Sequence, residues 1–259
     1  MSLVETKFEN HVGTITLNDQ RHLNALSAEL VDDIIHALNE FNNSETRAVI
    51  IRAPKGVKVF SAGHDVKELP KGTVDPLTYN DPLRRVVREL ELFPHPTIAM
   101  MEGTVWGGAC ELVMSCDILI SSDTSTFAIT PAKLGVPYNL SGVLNFMQNI
   151  SIPVMKEMLF TAEPISASRA VEIGMINHAV PVEQLEGFTI EMAAKITRNA
   201  PLSISVMKDE MRVLAGAFPL NPVDFERIQG NRRKVYNSKD YLEGINAFFE
   251  KRRPEFKGE

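Results

Sequence analysis

Two short stretches set glycine-bearing turns beside residues able to do chemistry. In "FSAGHD", Ala62 and Gly63 precede His64, Asp65 and Val66; in "WGGACE", Gly107 and Gly108 precede Glu111. Each follows a run that reads as a strand and leads toward one that reads as a helix. A glycine there permits positive φ and close backbone approach, and Asp65 is of a type that caps a following helix. Either turn alone has two readings, punctuation of the chain or an anion site built from backbone N–H groups. Together they carry more, because one N–H from each can converge on a single oxygen while the helix opening at the second turn adds its positive end. That is the donor set of an oxyanion hole.

The surrounding elements follow from hydrophobic period. "LVETKF" and "HVGTITL" alternate like the arms of an antiparallel hairpin. From Ser27, a candidate cap, Leu30, Val31, Ile34, Ile35, Leu38 and Phe41 fall on one helix face. "RAVIIRA", "KVFSAG" and "HPTIAMMEG" read as strands, and "PLRRVVRELELF" as an amphipathic helix with Leu83, Val86, Val87, Leu90 and Leu92 along one stripe. After the second turn come a short helix from about Gly108 and two strands separated by "SSDTS". Helical patterns dominate beyond Pro137. Alternating strand and helix is the mark of an α/β chain. With no long linker or repeat, residues 1–199 are expected to form the core carrying the site, and residues 200–259 a helical region of the same folding unit.

The 259 residues are 44% hydrophobic and 23% charged, enough to bury a large core. A net charge of −6, from 27 Lys+Arg and 33 Asp+Glu, offers no global field for nucleic acid or an anionic membrane, so neither is expected as a partner. Cys110 and Cys116 lack zinc or CxxC spacing and read as buried thiols of a reducing compartment. "MSLVETKFEN" does not read as a signal peptide and no apolar run is long enough to span a membrane, so the expected location is cytoplasmic. The N-x-S matches at Asn42, Asn139 and Asn149 are then not glycosylation sites.

With "RHLNALS", "FSAGHD", "EGTVWGGACEL", "CDILISSDTSTFAITPAKLGVP", "FTAEPISASRAVEIGMINHAV" and "GINAFFEKRRPEF", the chain resembles the crotonase (enoyl-CoA hydratase/isomerase) superfamily over nearly its whole length. Within it, "KVFSAGHDVKELPKG", "DPLTYNDPLR" and "TPAKLGVPYNLSG" are similar to the branch that decarboxylates malonyl-type thioesters. The resemblance implies a spiral of ββα units with a C-terminal helical region that builds a homotrimer or a dimer of trimers. It implies an acyl-CoA thioester substrate whose carbonyl oxygen meets the N–H groups of His64 and Gly108. It also lays the adenine and pantetheine end against Ala62, Gly63, His64, Asp65 and Val66, and sets Lys251 near a CoA phosphate. CoA belongs to the substrate, so no separate cofactor and no metal are expected.

Hydratases similar to this chain position water between two glutamates. Glu111 stands at the first, and "FAITPAKLG" puts Pro131, which moves no proton, at the second. A malonyl-type thioester needs less, since loss of CO2 leaves an electron pair that the thioester carbonyl accepts as an enolate, and one oxyanion donor is worth about 3 kcal/mol of barrier. A second carboxylate beside the substrate's own would repel it by about 4 kcal/mol at roughly 4 Å and an effective dielectric of about 20. By the same logic Glu111 is expected to be turned away, paired with an Arg, or protonated. The expected reaction is methylmalonyl-CoA to propionyl-CoA and CO2, with Thr130, Tyr138 and the His64 imidazole as candidates to orient the substrate carboxylate, and water, His64 or Glu111 to protonate the enolate.

Several features carry blander readings. Tyr138 also reads as a loop tyrosine beside a capping Asn139, and Thr130 as a strand end. Trp106 reads as core packing. His11, His22, His36, His95 and His178 lack metal-ligand spacing, and the "RRK" from Arg232 reads as a solvated helix face. Ser61 and Ser141 lack the G-x-S-x-G elbow of a serine hydrolase. The rival functions are an enoyl-CoA hydratase or thioester hydrolase of the same fold, and a protein that holds acyl-CoA without turning it over.

Overall fold

A computed structural model describes residues 2–69, 77–215 and 222–257. The chain opens with β1 (Val4–Glu9) and β2 (Val12–Leu17), paired antiparallel. Then α1 (Ala28–Asn42) begins where the Ser27 hydroxyl accepts from the Leu30 N–H. There follow β3 (Ala48–Arg52), β4 (Val59–Ser61), α2 (Pro82–Leu92), β5 (Thr97–Met101), β6 (Thr104–Trp106), α3 (Gly108–Met114), β7 (Ile118–Ser122) and β8 (Thr126–Ala128). The later elements are α4 (Leu140–Asn149), α5 (Ile152–Thr161), β9 (Ile165–Ser166), α6 (Ala167–Glu172), β10 (His178–Val180), α7 (Val182–Thr197), α8 (Pro201–Ala215), α9 (Pro222–Tyr236) and α10 (Lys239–Glu250).

Successive strands go to alternate sheets. β1, β2, β3, β5, β7 and β10 form one in that order, parallel from β2 onward, while β4, β6, β8 and β9 form the other. Strand, strand, helix therefore repeats as β3-β4-α2 and β5-β6-α3, the expected spiral. Gly103 (φ +84°) allows the reversal from β5 into β6, where a Cβ would stand 2.6 Å from the Lys58 carbonyl. The residues of β3 face two ways: Val49 and Ile51 enter the core with α1, and Ile50 joins Ile98, Met100 and Ile120 beneath Leu185 and Ala193 of α7. A parallel sheet covered on both faces accounts for the unbroken apolar run "AVII".

β6, β9 and β10, each of two or three residues, are missing from the sequence reading. Two side chains depart from it. Leu92, at the end of α2 where the stripe runs out, is 61% exposed, and Trp106, whose side chain leaves the edge of the core, is 43% exposed.

Candidate active site

β4, β6 and β8 are parallel neighbours in one sheet, so their C-terminal ends deliver three turns to one place. β4 leads into Ala62-Gly63-His64, β6 into Gly107-Gly108 and β8 into Thr130. Gly63 has φ +87°, and a Cβ there would stand 2.5 Å from the Trp106 carbonyl oxygen and 2.7 Å from the Gly108 nitrogen. A Cβ on Gly108 would stand 3.3 Å from the His64 nitrogen. Only glycines let the two turns pack this closely. Among the described residues, neither the His64 nor the Gly108 N–H has an acceptor.

Buried polar groups hold the first turn. The Ser61 hydroxyl donates to the Asn24 carbonyl (2.7 Å) and accepts from the Gly63 N–H (3.2 Å), and the Gly63 carbonyl accepts from the Leu26 N–H. Ser61 is thus a scaffold for the turn. Ala62 is exposed, and Asp65 caps the 3-10 turn Val66–Glu68 by accepting from the Lys67 N–H.

The His64 ring is fully engaged by protein. Nε2 lies 2.7 Å from Asp81 Oδ2 and Nδ1 3.0 Å from the Asp65 carbonyl. Burial alone pushes the imidazole pKa down, but the Asp81 hydrogen bond and charge and the Asp65 carbonyl outweigh it and hold it above its ordinary value. With an acceptor at each nitrogen, the imidazolium satisfies both contacts as donor. Both ring nitrogens are therefore taken by protein acceptors.

Glu111, in the first turn of α3, is fully buried, and Arg84 Nη1 donates to its Oε1 across 3.0 Å. Burial raises the carboxyl pKa to about 7 against the pull of Arg84 and Tyr138. The expected pairing with an Arg is met, and the carboxyl is poised between its charged and neutral forms. Tyr138 packs edge-on against Phe146 at 5.0 Å and lies over Gly142, next to Glu111. Burial first and the Glu111 charge second push its phenol well above the ordinary value. Tyr138 OH and Glu111 Oε2 influence each other's titration, and among the described residues neither has a hydrogen bond of good geometry.

Asn139 caps α4, its Oδ1 accepting from the Gly142 N–H at 2.6 Å. The Thr130 hydroxyl reaches within 3.2 Å of where a Cβ on Gly107 would stand, and Pro131 begins the next 3-10 turn. Lys251 is exposed and ends α10 at φ +54°. Cys110 and Cys116 are buried free thiols, each pushed up to about 12 by burial.

Asp81 and Arg84 are the residues the sequence reading passed over. Asp81-Pro82 is a readable helix start, and the Asp81 carboxylate accepts from the Leu83 and Arg84 N–H groups. Arg84 was detectable too, since a cation in the first turn of a helix opposes the helix dipole and needs a partner elsewhere.

Residues 7–259 match the enoyl-CoA hydratase/isomerase family. The chain is 54% identical over 249 residues to methylmalonyl-CoA decarboxylase of Escherichia coli (strain K12), covering 96% of this chain and 95% of that one. It is 30% identical over 252 residues to mitochondrial enoyl-CoA hydratase of Pongo abelii, covering 96% and 84%. Among solved structures, methylmalonyl-CoA decarboxylase in complex with 2-nitronate-propionyl-CoA is similar with a TM-score of 0.98 at 52% identity, over 99% of both chains. The same enzyme complexed with 2S-carboxypropyl-CoA gives a TM-score of 0.98 at 52% identity, over 100% and 99%.

Proposed function

The chain belongs to the enoyl-CoA hydratase/isomerase family, and from that premise we propose that it decarboxylates a malonyl-type CoA thioester, methylmalonyl-CoA to propionyl-CoA and CO2. It is a carboxy-lyase. The observation that carries the reading is the pair of adjacent N–H groups, on His64 and Gly108, with no acceptor among the described residues. The full-length identity to the Escherichia coli decarboxylase supports it.

The thioester oxygen sits between the two N–H groups, which act as an oxyanion hole. The bond from Cα to the carboxylate breaks, its electron pair passes into the thioester as an enolate, CO2 leaves, and water gives a proton to Cα, leaving hydroxide. The donors stabilise the oxygen most when it is fully anionic, which lowers the barrier. Tyr138 and Thr130 orient the carboxylate out of the thioester plane, the Tyr138 hydroxyl being a buried donor beside Glu111. Arg84 restrains Glu111, reducing repulsion of the substrate carboxylate, and Pro131 leaves no acid or base at the second position. This chemistry draws on no cofactor besides the CoA of the substrate.

Ala62 to Val66 line the path of the adenine and pantetheine, and Lys251 meets a CoA phosphate. A homotrimer or dimer of trimers is supported by α8, which leaves Leu202, Val206, Met211 and Leu214 exposed. The cytoplasmic assignment rests on the two unbridged thiols. Among the described residues no helix is long and apolar enough to cross a membrane.

The test is to supply methylmalonyl-CoA and, separately, crotonyl-CoA, and to follow products by mass. Propionyl-CoA from the first and no hydration of the second is expected. Hydration of crotonyl-CoA with methylmalonyl-CoA untouched refutes the reading in favour of a hydratase.

A further inference from the structure

The first turn of α2 touches both halves of the donor pair. Asp81 Oδ2 meets the His64 ring at 2.7 Å, and Asp81 Oδ1 accepts from the Leu83 N–H at 3.0 Å and the Arg84 N–H at 3.4 Å. Leu83 Cδ2 stands 2.8 Å from where a Cβ on Gly108 would be, and Arg84 holds Glu111 on the helix that Gly108 begins. One carboxylate thus joins the turn that carries the first N–H to the helix that buttresses the second. The Asp81 side chain is 4% exposed and the His64 side chain 12%, so little water competes for the tie.

We propose that Asp81 is a positioning residue for the thioester site, holding the His64 ring so that the His64 backbone N–H keeps its aim beside that of Gly108. This rests on the acyl-CoA reading above. An N–H misplaced by a fraction of an ångström still binds a neutral carbonyl, but it loses part of its preference for the oxyanion. The cap on α2 does not need the charge, because Asn caps a helix as well as Asp does. The tie to the imidazolium does need it.

Asp81→Asn, His64→Ala and the double variant separate the two roles. His64→Ala keeps the backbone N–H and leaves the α2 cap untouched. The readouts are kcat and KM for methylmalonyl-CoA, the thermal midpoint, and the infrared carbonyl band of bound propionyl-CoA labelled with 13C at the thioester carbon. Asp81→Asn leaves the imidazolium without its charged partner and is expected to lower the midpoint, yet to fold and to change KM less than about threefold while kcat falls about tenfold or more. The carbonyl band, lowered in frequency on binding to the wild type, should move back toward that of the free thioester. His64→Ala should show the same losses, and adding Asp81→Asn to it should cost less than about twofold more.

Wild-type kcat and an unmoved band in either single variant overturn the proposal, as does an Asp81→Asn loss that persists undiminished in the His64→Ala background. If Asp81→Asn does not fold, His64→Ala breaks the same tie and decides alone. A wild-type chain that fails to decarboxylate methylmalonyl-CoA refutes the function proposed above, while the carbonyl band still tests Asp81.

Discussion

Arg84 Nη1 lies 3.0 Å from Glu111 Oε1, so the buried carboxylate on α3 is restrained by a cation from the first turn of α2. The cation lowers the carboxyl pKa and burial raises it. Burial prevails, leaving the group close to half-protonated near neutral pH.

This makes Glu111 a pH-dependent load on stability. Its pKa rises from 4.5 to about 7 on folding, so its contribution to stability is fully present below 4.5 and is lost as pH rises through about 7. The loss amounts to about 3 kcal/mol. Urea unfolding at pH 4.5 and pH 8 should therefore show wild type losing more stability than Glu111→Gln by about that amount. Equal losses would refute the shift. With water as the proton source for the enolate, Glu111→Gln should also keep turnover of methylmalonyl-CoA within about tenfold; a loss of about a hundredfold or more would make Glu111 the general acid.

Gly63 meets two constraints together, a φ of +87° and no room for a Cβ between the Trp106 carbonyl and the Gly108 nitrogen. Gly63→Ala is expected to lower kcat by about a hundredfold or more and to lower the thermal midpoint, by strain and by separating the two donors. Normal turnover in a folded variant would show that the donors need not be this close.

Tyr138 offers a separation of function from stability. Its hydroxyl is buried beside the Glu111 carboxyl, and each group shifts the other's titration. Tyr138→Phe should change the thermal midpoint little while turnover falls about a hundredfold, because the carboxylate loses an orienting donor. A variant with unchanged turnover would leave Tyr138 as packing against Phe146 and Gly142.

Lys251 ends α10 in a left-handed conformation, at φ +54°, which glycine adopts more easily. Lys251→Gly removes the charge without straining the cap. KM should rise about threefold to tenfold at low salt, with kcat unchanged, and the difference should shrink as salt is added. A KM equal to wild type at low salt would remove Lys251 from the CoA contact.

The glycines, the capping residues and the apolar stripes were legible in the sequence because each acts over a few residues: Gly63 and Gly108 mark the turns, and Ser27 and Asn139 cap helices as their types suggest. Pro131 was informative in the same way, since a proline cannot carry a proton wherever it is placed. The burial of Cys110 and Cys116 also followed from residue type.

What the tertiary structure alone decided is which side chains meet across the chain. Residues 64 and 81, or 84 and 111, have no local relationship. They come together because β4 and β6 are parallel neighbours and α2 packs across their ends. The sequence therefore determined which groups could serve as donors and acids. Tertiary packing decided that the His64 ring faces Asp81 and that Glu111 is buried, because the partner of a charge, and the amount of water it keeps, are set by elements distant along the chain.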